Sequence, residues 1–330
     1  MESHHCRQST SKDYFEPVWL TFNSLYRFYE SECKNNDEIP LSYKTFSEVF
    51  KSLNISLFLP KKDKCNICCG HSAGNVSVEE YNQHVSKNIK ARVEKEIDKT
   101  GVGGIHAYNM DLQKFHLVPS LNTLAVYYKT KLLVHNFTLF DLKAKDVYCY
   151  LWHESEGRIT SNEFSSIVCF FISSKSGVNS NEIVNLYSDG CTYQNINSTL
   201  SNAVFNLSQE MNIIVIQTNL ERGHTQMECD NMHSTIERKL KNREIYTPAS
   251  YVNICKSARD SPKPYDVMYA NHSFFKDYSD LSFVSSIRPG LNVGDPCVTD
   301  IKAIRYSSDG IHVKVDFEGE WKILPTKMVW

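Results

Sequence analysis

No stretch of about 18 consecutive apolar residues occurs in this chain, so no membrane-spanning helix is expected. The opening residues, MESHHCRQSTSKDYFEP, lack the apolar core of a secretory signal. Excess charge is missing as well. Thirty-six basic residues against 38 acidic ones give a formal net charge of -2, so no global basic field advertises a nucleic-acid partner, and such a partner must be read from a local site. Internal repeats and low-complexity tracts are absent, which excludes solenoids and disordered arrays. Paired cysteine is not expected either. The 11 cysteines are odd in number and scattered from Cys6 to Cys297, a usage that fits a reducing compartment better than a disulfide framework. Without a secretory signal the six Asn-x-Ser/Thr triplets, at Asn54, Asn75, Asn136, Asn197, Asn206 and Asn271, are chance matches to the glycosylation acceptor. The expectation is an intracellular protein, nuclear or cytoplasmic.

What is present is the composition of a globular chain, 41% hydrophobic and 22% charged over 330 residues, enough for one large domain with attachments or for two domains. Residues 1–64 read as an N-terminal helical region. Leu20, Leu25, Phe28 and Tyr29 share one stripe, and Tyr43, Phe46, Val49, Phe50 and Leu53 form another after Pro40. Residues 65–102 carry a Cys-x-x-Cys pair and then a long polar helix ended by Gly101. Its His84, Lys87, Lys90, Arg92, Lys95 and Lys99, interspersed with acids, suggest a solvated exterior laced with i,i+4 pairs.

From Gly103 the periodicity changes. GIHAYNMDL reads as a strand ending at Asp111, PSLNTLAVYYKTK as helix or extended linker, and LLVHNFTLFDL and KDVYCYLWH as two successive strands. TSNEFSSIVCFFISSKS follows as a helix capped by Ser161 or Asn162; then come a strand EIVNLYSD, a helix INSTLSNAVFNLSQEM, a buried strand NIIVIQTN and a helix MECDNMHSTIERKLKN. The order β-β-β-α-β-α-β-α over 103–260 predicts an α/β fold with a ribonuclease H-like mixed sheet. Residues 261–330 read as a small C-terminal β-rich module.

Two Asp-Gly pairs separate structure from chemistry. RYSSDGIHVKV continues into alternating Ile311, Val313 and Val315, as a hairpin should, whereas LYSDGCTYQNIN ends its strand on Asp189 and continues into amides. In a ribonuclease H-like order the first and fourth strands are neighbours, which sets Asp111 beside Asp189. The helix after the fifth strand brings a third acid. Its Asp230, His233 and Glu237 fall at i, i+3 and i+7, on one face. Crowded carboxylates repel, and two Mg2+ or Mn2+ ions would relieve them while activating water against a phosphodiester. Gln194, Asn195 and Asn197 are candidates to cap the next helix or to hold Asp189. His224 and His233 read as supporting groups.

At these residues a resemblance emerges. DLQKFHLVP, YLWHESEGRITSNE, SDGCTYQNIN and GHTQMECDNMHSTIE resemble segments of a transposon-derived family of animal proteins that are similar to DDE-type transposases with a ribonuclease H-like catalytic domain. The likeness runs from about Phe58 through SIRPGLNVGDPCVTDIKAIRY. It implies Asp111 and Asp189 as the first two metal-binding acids and Asp230 as the third, with Glu237 and Glu228 as rivals. It also implies a DNA partner, transposon ends or a relic target, and a homo-oligomer as a candidate assembly. An extended N-terminal DNA-binding region, which such transposases often possess, is not seen ahead of the match, so autonomous transposition is not expected.

PKKDKCNICCGH resembles a further segment of that family. Cys65 and Cys68 have metal-knuckle spacing, and His84, His71, Cys69 or Cys33 would complete tetrahedral zinc. Arg238, Lys239, Lys241 and Arg243, followed by Lys256, Arg259 and Lys263 and interleaved with Tyr246, Tyr251 and Tyr265, form a candidate DNA-binding stretch or a solvated helix exterior. Two alternatives to catalysis by three acids stand beside it: an inactive transposase relic that binds DNA or protein, and a thiol nucleophile at Cys191 or Cys229 with His224 or His233.

Overall fold

The computed structural model describes residues 13–15, 21–53, 55–57, 65–121, 123, 129–175, 182–221, 224–225, 227–290 and 292–325. The chain divides into two compact units, residues 1–81 and 82–330.

In the first unit, α1 (Phe22–Asn35) and α2 (Tyr43–Ser52) begin where hydroxyls satisfy their free amides. Thr21 Oγ1 accepts from Ser24 N at 3.1 Å and Ser42 Oγ from Thr45 N at 3.2 Å. The expected stripes meet in part: Tyr29 stacks on Phe46 at 4.7 Å and Phe50 is met edge-on by Phe22 at 5.1 Å, whereas Phe28, Val49 and Leu53 are exposed and Leu20 lies outside the described residues. Two short strands, β1 (Asp13–Phe15) and β2 (Ile55–Leu57), pair in parallel. A two-turn helix, α3 (Asn66–Ser72), starts on Cys65, whose Sγ accepts the backbone N–H of Cys68 at 3.3 Å.

Helix α4 (Val78–Lys99) departs from the solvated reading. His84, Asn88, Ala91 and Lys95 are buried, a stripe at helical spacing made almost wholly of polar side chains. Polar residues in such positions need partners, and the sheet supplies them. Asp98 Oδ2 accepts from Asn185 Nδ2 and from the Tyr187 hydroxyl, each at 2.6 Å.

The second unit is an α/β structure on a mixed sheet. Its strands are β3 (Ile105–Leu112), β4 (His116–Val118), β5 (Leu132–Asp141), β6 (Val147–His153), β7 (Ile183–Ser188), β8 (Ile214–Asn219), β9 (Asp266–Tyr269), β10 (Ala303–Ser307), β11 (Gly310–Lys314) and β12 (Lys322–Ile323). The order across the sheet is β12-β11-β10-β8-β7-β3-β5-β6-β9, with β4 beside β5. β3, β7 and β8 run parallel, and β5 is antiparallel to both β3 and β6. Residues 261–330 supply strands to both edges of this sheet, β9 beside β6 and β10 to β12 beyond β8. The Asp309-Gly310 pair makes the expected hairpin, with Ser307 opposite Gly310. Residues 122 and 124–128, within the segment read as helix or linker, lie outside the described residues.

Helices cover both faces. α5 (Ser161–Ser174) and α6 (Ser198–Met211) bury Phe164, Ile167, Phe171, Leu200 and Val204 against Met110, Leu139, Leu186 and Val215. The capping residue of α5 is Thr160, one position ahead of the expected Ser161, with its amide bonded to Glu163 at 2.9 Å. On the opposite face α7 (Glu228–Leu240) and α8 (Pro248–Lys256) bury Cys229, Ile236, Ile254 and Cys255 with Ala107, Val134, Leu151 and Tyr187, and Ala91 of α4 joins them. Alternation along β3 therefore sends Tyr108 and Met110 to the α5/α6 side and Ala107, Asn109 and Asp111 to the side of α4 and α7.

Candidate functional site: three acids beside a buried lysine

The same alternation operates on β7, where Asn185 and Tyr187 face α4 and Leu186 faces away. Asn109 of β3 is paired with Tyr187 of β7. Two residues further along both strands stand Asp111 and Asp189, level with each other and on the same face. β7 stops there because Gly190 turns the chain with φ +70°, a conformation that favours glycine. The amides after it have definite tasks. Cys191 N and Asn195 Nδ2 donate to Asp189 Oδ1 at 3.0 and 3.2 Å, and Asn197 caps α6 by accepting from Leu200 N at 2.9 Å. Gln194 lies in the same turn, and its carbonyl accepts from Asn197 Nδ2 at 3.3 Å. Gln217 of β8 anchors the loop by donating to the Asn195 carbonyl at 2.8 Å.

Asp230 enters from the first turn of α7. Burial pushes the Asp111 carboxyl up to about 7, and the neighbouring charges of Asp189 and then Asp230 add to the shift. The carboxyl of Asp230 is raised too, by partial desolvation and by Asp189 and Glu228, against the opposing pull of a Met227 backbone hydrogen bond and of Lys95. Asp111 thus feels the charges of both Asp189 and Asp230, and Asp230 feels that of Asp189. His233 Nδ1 lies 3.6 Å from Asp111 Oδ2 and Nε2 lies 3.0 Å from Thr138 Oγ1. Ion pairing would raise the imidazole, yet burial and then the neighbouring His116 hold it down at about 4. His233 is therefore a neutral ring that orients Asp111, not its counter-ion.

The rivals for the third position separate clearly. Glu237 is exposed on the outer side of α7, so the expected common face does not extend to it. Glu228 is engaged elsewhere: its Oε2 accepts from Lys95 Nζ at 2.6 Å and from Asn109 Nδ2. Lys95 and Asn109 are components that the sequence reading did not single out. Lys95 was hidden inside an apparently solvated helix, although its phase with His84, Asn88 and Ala91 was the available signal.

A second set of donors has a different character. In the first unit Cys65 caps α3 and stands at knuckle spacing from Cys68; in the second, the rings of His84 and His224 lie 4.8 Å apart, centroid to centroid. His71 instead stacks on Tyr81 at 4.0 Å.

Arg238, Lys239, Lys241 and Arg243 are exposed from the last turn of α7 onward. Farther along, Arg259 donates to the carbonyls of Lys145 and Lys263, and Lys263 pairs with Asp146 at 2.5 Å, so these two serve the fold. Cys229 is fully buried and its thiol is pushed well above its ordinary range, first by burial and then by the nearby acids, the reverse of what a thiolate nucleophile needs. No helix among the described residues is long and apolar enough to cross a membrane. No protein-family model, curated protein or solved structure matches this chain.

Proposed function

We propose that residues 82–330 form a DDE-type, divalent-metal-dependent nuclease or strand-transfer unit acting on DNA, with a ribonuclease H-like core and Asp111, Asp189 and Asp230 as its acids. The observation that carries this reading is the β3/β7 register that sets Asp111 level with Asp189, with the charges of Asp189 and of Asp230 at the start of α7 both acting on Asp111. The order β6-β5-β3-β7-β8, with β5 the antiparallel strand, supports the ribonuclease H-like assignment. The donors are hard oxygens in a field of like charge, which suits Mg2+ or Mn2+.

Asp111, Asp189 and Asp230 would hold two such ions. When bound, these would supply a Lewis acid and a readily deprotonated water for attack on a phosphodiester. The chain's own residues do the rest. Cys191 N and Asn195 fix one oxygen of Asp189 and leave the other for ligation. Asp111 gives up its proton on binding and His233 holds its orientation. Arg238, Lys239, Lys241 and Arg243 offer an exposed basic stretch to the DNA backbone. Incubation of the full chain with plasmid or oligonucleotide DNA and Mn2+ tests this: cleavage is expected for the wild type and a loss of at least about a hundredfold for Asp189→Asn. Equal activity in both would refute it.

A second reading, an inactive relic that binds DNA, draws on the spacing of the aspartates, which among the described residues form no close ligand group. Under it, DNA affinity would survive Asp111→Asn, Asp189→Asn and Asp230→Asn together and be indifferent to Mg2+.

On the Cys65-x-x-Cys68 knuckle we assign structural zinc. Cys65 Sγ already accepts a backbone amide, as a knuckle thiolate does. Purified chain should contain close to one zinc by elemental analysis, lost in Cys65→Ser; a chain free of zinc in both forms would overturn the assignment.

A further inference from the structure

We propose that Lys95 is a built-in counter-ion of the acidic site, which holds Glu228 out of the metal-ligand set and competes with divalent cations for the field of the aspartates. This rests on the reading of Asp111, Asp189 and Asp230 as metal ligands.

Lys95 has only 7% of its side chain exposed, on the buried stripe of α4, and its Nζ lies 2.6 Å from Glu228 Oε2. An ammonium leaves water at considerable cost and is retained only where a permanent negative charge receives it. Glu228 opens α7, two residues before Asp230, so the cation held at Glu228 also acts on Asp230. The pair is reinforced from the sheet, because Asn109 donates its amide to the same Glu228 oxygen. Asn109 is completely buried on the same face of β3 as Asp111, and among the described residues no donor reaches its Oδ1.

One fixed positive charge thus acts on both Glu228 and Asp230. With Glu228 occupied by Lys95, Asp230 is the acid of α7 left to complete the set. A lysine at this depth cannot swing into solvent without unpacking α4 from the sheet, so its charge persists when a divalent cation arrives and weakens that cation's binding. The arrangement sets metal affinity low by design of the fold and makes it depend on α4.

Mn2+ affinity of the zinc-loaded full chain, measured by calorimetry, tests this. Lys95→Gln keeps a donor for Glu228 and removes the charge; Lys95→Met removes both; Lys95→Arg keeps the charge. The Gln and Met variants are expected to bind Mn2+ at least about tenfold more tightly than the wild type, and Arg about equally. A merely structural lysine would give weaker binding in all three. Unchanged or weaker binding in whichever of the Gln and Met variants unfolds cooperatively would overturn the inference while leaving the metal site itself intact. Absence of saturable Mn2+ binding in the wild type and in every variant would overturn the metal-site reading and this inference with it.

Discussion

Asp111 is the side chain whose charge state matters most. Its carboxyl is raised from 3.8 to about 7 in the folded chain, so below that pH the metal-free fold holds a proton that the unfolded chain has already released. The resulting stability is complete below pH 3.8 and is lost as pH rises through 7. Asp111→Asn should therefore stabilise the metal-free protein at pH 8, by on the order of 2 kcal/mol in urea unfolding with EDTA present. His116 and His233 work in the opposite sense. Both are pushed from 6.5 to about 4, chiefly by burial, so their contribution is present above 6.5 and is lost as pH falls through 4. The acid limb should thus survive in Asp111→Asn, and its loss together with the alkaline limb would contradict these assignments. Asp111 and Asp189 were legible as strand-terminal acids. Lys95 was not, because a lysine in a helix rich in lysine and glutamate reads as solvent-facing, and its shared phase with His84, Asn88 and Ala91 is polar enough to pass for an exposed stripe.

Single elements position these side chains, and two of them offer direct checks. The turn after β7 depends on Gly190, whose φ of +70° is unfavourable for other residues and whose Cβ position would lie 3.4 Å from Asn219 Cβ. Gly190→Ala should cost about 1 kcal/mol or more and, by shifting Asp189, depress metal affinity by a larger factor than stability alone accounts for. Helix α4 is held by Asp98. Asp98→Ala would leave the Tyr187 hydroxyl and the Asn185 amide without their acceptor, and a loss of about 1 to 3 kcal/mol is expected by chemical denaturation. Most strands and helices of 103–260 were legible because β-branched runs alternate with amphipathic stretches there, but the short β4 and the helix α8 were not read. The inner face of α4 was not, because its buried stripe is polar and looks like solvent-facing sequence. Capping was legible to within one residue, as Thr160 and Asn197 illustrate.

Across the whole second unit, the sheet depends on chain segments far apart in sequence. β10 pairs with β8, and Tyr306, fully buried, donates to Gln217 Oε1 at 2.5 Å, the same glutamine whose amide anchors the Asp189 loop. A chain ending at Lys302 should consequently lose cooperative thermal unfolding by circular dichroism; a sharp, wild-type-like transition would show that β10 to β12 are dispensable. The Asp309-Gly310 hairpin was legible by itself, but not the edge it joins, since short strands of similar alternation do not encode which neighbour they meet. The metal-binding claim is tested most directly by calorimetric titration of the zinc-loaded chain with Mn2+ at pH 6 and pH 8.5, in buffers of different ionisation heat. Binding should release close to one proton at pH 6, from Asp111, and almost none at pH 8.5, and Asp189→Asn should abolish it. No saturable binding, or binding that Asp189→Asn leaves unchanged, would contradict it.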